Sequence, residues 1–262
     1  MPQAQGRCGM LLITIAFNNE ELISTQIEMV RKHVKDANYQ LLIVDNSTDK
    51  TKRKKIQDVC TQHGIEYIPI PLTLRQKICK NLKWGGMSHG LALNWTFYHV
   101  ICNRQPKYFA LLDHDIFPVK DCNLTERLGD LDFFGVRRDR GKYWYLWPGW
   151  SIFNFDAIAT KSPNFQPYFT KSDYLDSGGG NYFRIYNNYA LGTIPFPNGK
   201  TQRLKKTKGL SEWNDVYHCD CIQMIDDCWL HIINGSNYCH LPGKDATIKK
   251  IINNIHIFEN ND

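Results

Sequence analysis

The sequence predicts an α/β fold in three layers, a mostly parallel central sheet with helices on both faces. Three observations predict it. Short apolar runs alternate with amphipathic helical stretches through the first 120 residues. The breaks between them are short, and the strand–helix alternation is the pattern of a parallel sheet built by right-handed crossovers. Polar clusters recur just after the apolar runs, where open parallel sheets bind their ligands. With 262 residues, 42% hydrophobic and 22% charged, the chain can bury one sizeable core, and its composition excludes disordered and fibrous classes. We read 1–262 as a single domain in two halves, 1–120 and 121–262.

Residues 11–17 are a continuous Leu- and Ile-rich run, as a strand buried on both faces would be. Asn19 then caps a helix with Glu20 and Glu21 in its first turn and Ile23, Ile27, Val30 and Val34 at helical spacing. Residues 40–44 give a second buried strand ending in Asp45-Asn46-Ser47-Thr48-Asp49, and the next helix carries Ile56, Val59, Cys60 and His63 on one side. Residues 66–70 give a third strand. A loop leads to Trp84-Gly85-Gly86-Met87-Ser88, where Ser88 is the expected cap of a helix whose Leu91, Trp95, Tyr98 and Cys102 share a face. Residues 108–112 are a fourth strand, ending at Asp113-His114-Asp115. Further on, 133–137, 143–147 and 216–223 read as strands, 174–191 as a helix behind Gly178-Gly179-Gly180, and 198–209 as a basic loop.

The net charge of +6 suits nucleic acid, an anionic membrane face or a phosphorylated small molecule. Its basic residues are dispersed and no nucleic-acid recognition motif occurs, so nucleic acid is not expected as a partner. No apolar run approaches the ~20 residues of a membrane-spanning helix. The first nine residues are too polar for a signal peptide, so the mature chain is expected to begin at Met1. Nine cysteines, an odd number, form no disulfide framework. A cytoplasmic location is therefore the expectation, and the sequons at Asn46, Asn94, Asn123 and Asn234 are then incidental.

Asp113-His114-Asp115 is the sharpest chemical feature, because an apolar strand delivers two carboxylates to the ligand edge of the sheet. Mg2+ or Mn2+ takes oxygen ligands from one or two such groups, completing its shell with water and phosphate oxygens. A turn or helix cap is the structural alternative. Asp45 ends the neighbouring strand, where it could accept hydrogen bonds from a nucleobase or ribose, or simply form a turn. Gly85-Gly86-Met87-Ser88-His89-Gly90 opens a helix whose N–H groups and dipole favour a diphosphate. It is not Gly-x-Gly-x-x-Gly, which argues against a nicotinamide enzyme. Tyr143, Tyr145 and Trp147 alternate onto one strand face and Trp144 onto the other, while the break Pro148-Gly149-Trp150 makes Trp150 the acceptor-site candidate. His218, Cys219, Cys221, Cys228, His231, Cys239 and His240 crowd together and support a structural zinc site, although no Cys-x-x-Cys pair occurs.

In these residues the chain resembles the GT-A glycosyltransferases, most closely the family 2 type. The resemblance rests on Leu11-Leu12-Ile13-Thr14-Ile15-Ala16-Phe17-Asn18-Asn19-Glu20-Glu21, on Ile43-Val44-Asp45 through Thr51, on the stretch from Asn81 to Gly90, and on Leu111-Leu112-Asp113-His114-Asp115, all in the family's order. It covers the first half of the chain. It implies a Rossmann-like sandwich that binds a nucleotide sugar through residues 1–120, with the acceptor site and catalysis in 121–262. Ala16, Phe17, Asn18 and Asp45 would surround the base, Asp113 the ribose, and Asp115 a Mn2+ or Mg2+ bridging the diphosphate; Gly86 and His89 join the donor site, and His231 is the candidate third metal ligand. The second half departs from the family, having no Glu-Asp pair at the start of a late helix. Asp176 and Asp173 are the nearest substitutes for the base, with Asp176 preferred because the adjacent glycines let a ligand approach.

The expected activity is metal-dependent transfer of a sugar, with inversion, from a nucleotide-diphosphate sugar to a hydroxyl of a glycan, lipid-linked or protein-linked acceptor. Lys200, Arg203, Lys205, Lys206 and Lys208 could close over the diphosphate or touch an anionic membrane surface, or form a merely solvated loop, the reading preferred here. Two rivals stand beside this reading. One is a zinc-stabilised binding protein on a degenerate sugar-nucleotide fold. The other is a nucleotidyltransferase, whose usual Gly-rich, Lys-containing loop after the first strand is missing.

Overall fold

The structure, a computed structural model, describes residues 7–71, 73–82, 84–203, 221–236 and 243–259. The first half contains β1 (Met10–Ala16), α1 (Glu20–His33), β2 (Tyr39–Asp45), α2 (Lys50–Gln62), β3 (Glu66–Pro69), α3 (Leu74–Asn81), α4 (Gly85–Thr96), α5 (Cys102–Arg104) and β4 (Tyr108–Asp113). After these come β5 (Ile116–Pro118), α6 (Leu124–Leu128), β6 (Phe133–Arg140), β7 (Tyr143–Asn154) and α7 (Phe155–Ala159). The remaining elements are β8 (Tyr168–Phe169), β9 (Tyr174–Leu175), α8 (Asn181–Arg184), β10 (Gly199–Arg203), β11 (Cys221–Ile225), β12 (Trp229–Ile232), α9 (Lys244–Asn253) and α10 (His256–Glu259).

A six-stranded sheet of order β3-β2-β1-β4-β7-β6 forms the middle layer. Strands β1 to β4 pair in parallel, and β7 runs antiparallel to both of its neighbours. Alternation along β1 sorts the side chains into two cores. Met10, Leu12 and Ala16 pack with Ile23 and Ile27 of α1, Ile56 of α2 and Leu124 of α6. Leu11, Ile13 and Ile15 pack with Leu93 of α4, Phe97, and Phe155 and Ile158 of α7. Helices thus cover both faces, and each fully buried Leu or Ile stabilises the sandwich by roughly 1.5–3 kcal/mol. Asn19 caps α1 as expected, its side chain accepting from the N–H groups of Glu21 and Leu22, each at 3.1 Å.

A second, antiparallel sheet of order β10-β11-β12-β5 has its own core, in which Phe117, Ile222 and Leu230 meet Leu22 of α1 and Ile248 of α9. Only His114 and Asp115 separate β4 from β5. The chain therefore crosses from one sheet to the other at the Asp113-His114-Asp115 turn. Among the described residues no helix is long and apolar enough to cross a membrane.

Several elements differ from expectation. The helix expected to begin at Ser88 opens at Gly85, and Ser88 is buried in its first turn. Its fully buried face carries Ala92, Leu93, Thr96, Phe97, Val100 and Ile101, while of the expected face Trp95 and Cys102 pack against the same core only partly buried and Leu91 is half-buried. A π-helical turn over Phe97–Ile101 breaks the 3.6-residue period on which the expected face was counted. Tyr98 stays 45% exposed, its hydroxyl donating to the Pro163 carbonyl. Helix α3 occupies part of the expected loop. Pro148-Gly149 does not end its strand, which runs on to Asn154. No helix spans 174–191, because the glycines turn the chain instead, with Gly178 at φ +91°, and α8 is four residues long. Of the expected strand at 216–223, residues 221–223 belong to β11, and 216–220 lie outside the described residues. Lys200 and Arg203 fall on β10, and Lys205, Lys206 and Lys208 lie outside the described residues.

Candidate active site

A cleft of about 560 Å³ opens at the turn between the two sheets, with Asp113, His114 and Asp115 among its lining. Gly85, Gly86 and His89 of α4 form one wall. Arg138, Tyr145 and Trp147 of the β6–β7 hairpin form another, while Asp176, His231 and Asn234 border the rest.

The hairpin reaches the cleft through a bulge. Arg137 pairs with Leu146 but Gly135 pairs with Ser151, so residues 147–150 of β7 stand opposite Val136 alone. Such an insertion re-aims side chains at the edge of a site. Here it places Trp147 beside His231, with ring centroids 4.7 Å apart, and beneath the Arg138 guanidinium at 5.0 Å. A Cβ on Gly149 would lie 2.6 Å from Asp113 Oδ2, so only glycine admits this carboxylate so near the backbone.

The two aspartates differ in environment. Asp113 Oδ1 lies 3.2 Å from His89 Nε2, and His89 Nδ1 lies 3.3 Å from Ser177 Oγ. Burial opposes charge on both members, but the attraction between them prevails, lowering the Asp113 pKa and raising that of His89. Asp115 is buried and its Oδ1 has no hydrogen-bond partner among the described residues. Burial, and then the charge of Asp113, push its pKa up to about 8. His114 donates from Nδ1 to the Ile15 carbonyl at 3.2 Å, and burial holds both His114 and His231 neutral by pushing each pKa down to about 4.

Asp176 is exposed at the mouth of the cleft. Its Oδ1 accepts from the Ser177 N–H at 2.7 Å and the Tyr174 hydroxyl at 3.1 Å, and its own N–H donates to Tyr145 Oη at 3.1 Å. A Cβ on Gly86 would sit 2.1 Å from that Oδ1, so the carboxylate rests against the first turn of α4. The positive end of the helix expected to receive a diphosphate thus already faces a carboxylate.

The structure brings Phe17, Gly86, His89, Asp113, Asp115, Asp176 and His231 to one cleft. It does not bring Asp45, Asp173 or Trp150. Asp45 is fully buried and engaged with Tyr67 Oη at 2.7 Å, the Ser47 N–H at 2.7 Å and Arg53 Nε at 3.3 Å, which leaves it no face toward a base. Asp173 instead bonds the Ser172 hydroxyl at 2.5 Å, close to the Gly141 turn of the β6–β7 hairpin. Trp150 is buried between Phe134 and Trp229, because the bulge turns Trp147 rather than Trp150 toward the cleft. Ala16 and Asn18 do not line the cleft: the Ala16 carbonyl accepts from the Asn46 N–H, and Asn18 Oδ1 accepts from the Thr48 N–H at 3.1 Å.

Arg138 and Ser177 are cleft residues that sequence reasoning left without a role, and Tyr145 and Trp147 are ones it placed on a strand face and read as core or sugar-stacking, with core preferred. The available signal was the Pro148-Gly149 pair, which marks a bulge inside an aromatic strand. Among the described residues no three His, Cys, Asp or Glu side chains are close enough to share a metal ion, so the group of Asp113, Asp115 and His231 is not closed in this conformation. Of the suggested zinc ligands, His218, Cys219, Cys239 and His240 lie outside the described residues. Among the described residues Cys221 and Cys228 form no disulfide.

The sequence matches no protein-family model and no curated protein. In fold the chain is similar to solved structures of TarS from S. aureus, at 12% identity and a TM-score of 0.41, over 60% of this chain and 30% of that one. It is similar to the mannosyltransferase PcManGT from Pyrobaculum calidifontis in complex with GDP-Man and Mn2+, at 14% identity and a TM-score of 0.44, over 62% of this chain and 48% of that one. It is also similar to the galactosyltransferase LgtC in complex with donor and acceptor sugar analogs, at 16% identity and a TM-score of 0.39, over 56% of this chain and 59% of that one. The similarity covers less than two thirds of the length of each of these proteins.

Proposed function

We propose that the cleft binds a nucleotide-diphosphate sugar and that the protein is a glycosyltransferase acting on an acceptor hydroxyl. The observation that carries this reading is the buried, unpartnered Oδ1 of Asp115 beside Asp113, at the ligand edge of a parallel sheet. A buried carboxylate oxygen without a donor is costly unless a ligand completes it. Two carboxylates with one such oxygen fit Mn2+ or Mg2+, whose hard oxygen preference they match. Asp113 and Asp115 would hold the cation, with His231 the candidate third ligand, and the cation would neutralise charge on the departing diphosphate.

The chain's own groups do the rest. Arg138, spread over Trp147, offers a cation at the cleft wall to phosphate or sugar oxygens. His89, its pKa raised by Asp113, holds that carboxylate in place. Asp176 Oδ2 takes the proton of the acceptor hydroxyl as the acceptor oxygen bonds to the anomeric carbon and the carbon–phosphate-oxygen bond breaks, releasing the nucleoside diphosphate. Attack opposite the leaving group inverts the anomeric centre.

Thermal unfolding with UDP, GDP, CDP and dTDP, each with Mn2+ and with a chelator, tests the reading. One nucleotide at a hundred times its Kd should stabilise the fold by about 2.7 kcal/mol, a rise of roughly 5 °C, only when metal is present. Asp115→Asn should remove the metal-dependent part of that rise. No rise with any nucleotide, or an unchanged rise in the variant, refutes the assignment.

A further inference from the structure

The edge of the cleft carries an exposed aromatic surface. Trp84 is 38% exposed, Phe169 56% and Tyr174 38%. Their rings touch in sequence: the Trp84 and Phe169 centroids are 5.9 Å apart, and those of Phe169 and Tyr174 are 4.9 Å apart. Phe169 and Tyr174 face each other across the β8–β9 pair, so both project from one face of that ribbon. The Trp84 indole N–H donates to Tyr174 Oη, whose hydroxyl donates onward to Asp176 Oδ1 at 3.1 Å. Burial, and then the Asp176 charge, push the Tyr174 pKa up to about 12, so the phenol keeps its proton at neutral pH.

Resting on the glycosyltransferase reading, we propose that Trp84, Phe169 and Tyr174 form a stacking platform for the sugar rings of an oligosaccharide acceptor. A pyranose has an apolar C–H face and a rim of hydroxyls. The partly exposed rings, tilted at 59° and 43° to one another, offer apolar surface to the C–H face, and their row ends at the carboxylate assigned to take the acceptor's proton. Its continuity with the cleft distinguishes this patch from scattered surface hydrophobics, because Asp176 follows directly on β9. A second copy of the chain is a poor occupant. Aromatic side chains bury about 150–250 Å² each when fully covered, so three partly exposed rings offer far less than the ~800 Å² per partner of a stable dimer. Tyr174 is also a positioning residue for Asp176.

The test uses the full chain, an array of immobilised neutral and acidic oligosaccharides, phosphatidylglycerol vesicles and analytical ultracentrifugation. Wild-type protein should bind at least one oligosaccharide class. Trp84→Ala and Phe169→Ala should each weaken that binding about tenfold while leaving the nucleotide-induced thermal shift unchanged. Tyr174→Phe keeps the ring but loses the hydroxyl, so it should retain array binding within about threefold and lower the transfer rate more than it raises acceptor KM. Oligosaccharide binding undiminished in both alanine variants, or absent in a wild-type protein that binds nucleotide, overturns the platform alone. Vesicle binding or dimerisation that depends on these rings without any oligosaccharide effect also overturns it. Failure of the nucleotide shift in the wild type overturns the transferase reading, and the acceptor role with it.

Discussion

Gly86→Ala isolates the position of Asp176 from its charge. The added Cβ would lie 2.1 Å from Asp176 Oδ1 and 2.9 Å from Tyr174 Oη, where ordinary contact begins near 3.4 Å. The carboxylate must therefore retreat by about 1.3 Å, and a misplacement of that size costs a reacting group on the order of a hundredfold in rate. Folding should hardly change. Gly86 lies in the first turn of α4 and alanine is the better helix former by up to about 1 kcal/mol. Against that, Asp176 is exposed, so water replaces its bonds to Ser177 and Tyr174 at about 1 kcal/mol or less each. The net change is within about 1 kcal/mol, or roughly 2 °C in midpoint. The assay pairs nucleoside diphosphate release, with donor and acceptor present, with the nucleotide-induced thermal shift. A hundredfold slower release with an intact shift is expected. Turnover within threefold of wild type would refute the role of Asp176, and a large fall in midpoint would show that its carboxylate holds the fold.

Two further substitutions separate structural from site residues. Asp45→Asn breaks a buried contact with Arg53, which is itself partly exposed. It should therefore cost about 2–4 kcal/mol and lower the midpoint by at least about 4 °C. The folded variant should still show the nucleotide shift, and loss of that shift would return Asp45 to the site. Trp150→Ala should cost about 3–5 kcal/mol as a core truncation, whereas Trp147→Ala should cost less than about 2 kcal/mol and weaken nucleotide binding. Calorimetry with nucleotide titration distinguishes them, and equal destabilisation by the two would contradict the bulge geometry.

The first half of the fold was legible because its signals are local. A short unbroken apolar run rich in Leu and Ile and bounded by polar residues reads as a strand covered on both faces, and β1 is buried along its whole length. Asn19 caps α1, and Ile23, Ile27 and Val30 turn inward at helical spacing. The two carboxylates after β4 were legible for the same reason, since strand direction alone puts them at the ligand edge. The role of Asp45 was not, because it is decided by partners 8 and 22 residues away, Arg53 and Tyr67, that no local pattern pairs with it.

The second half resisted reading because its conformation is set across strands rather than along the chain. Pro148-Gly149 looks like a terminator when only neighbours in sequence are considered. In the sheet, Ser151 still pairs with Gly135 on β6 and Leu111 on β4, so the strand resumes after the bulge. That bulge turns Trp147 rather than Trp150 toward the cleft and brings the Gly149 backbone onto Asp113. The Gly178 turn acts alike: a helix through it would carry Asp176 along the helix axis, whereas the turn holds the carboxylate against Gly86 of α4. In both places a glycine that weakens local structure permits a backbone approach that assembles the cleft. Breaker residues beside aromatic and acidic side chains are therefore better read in this chain as points where the site is drawn together than as the ends of elements.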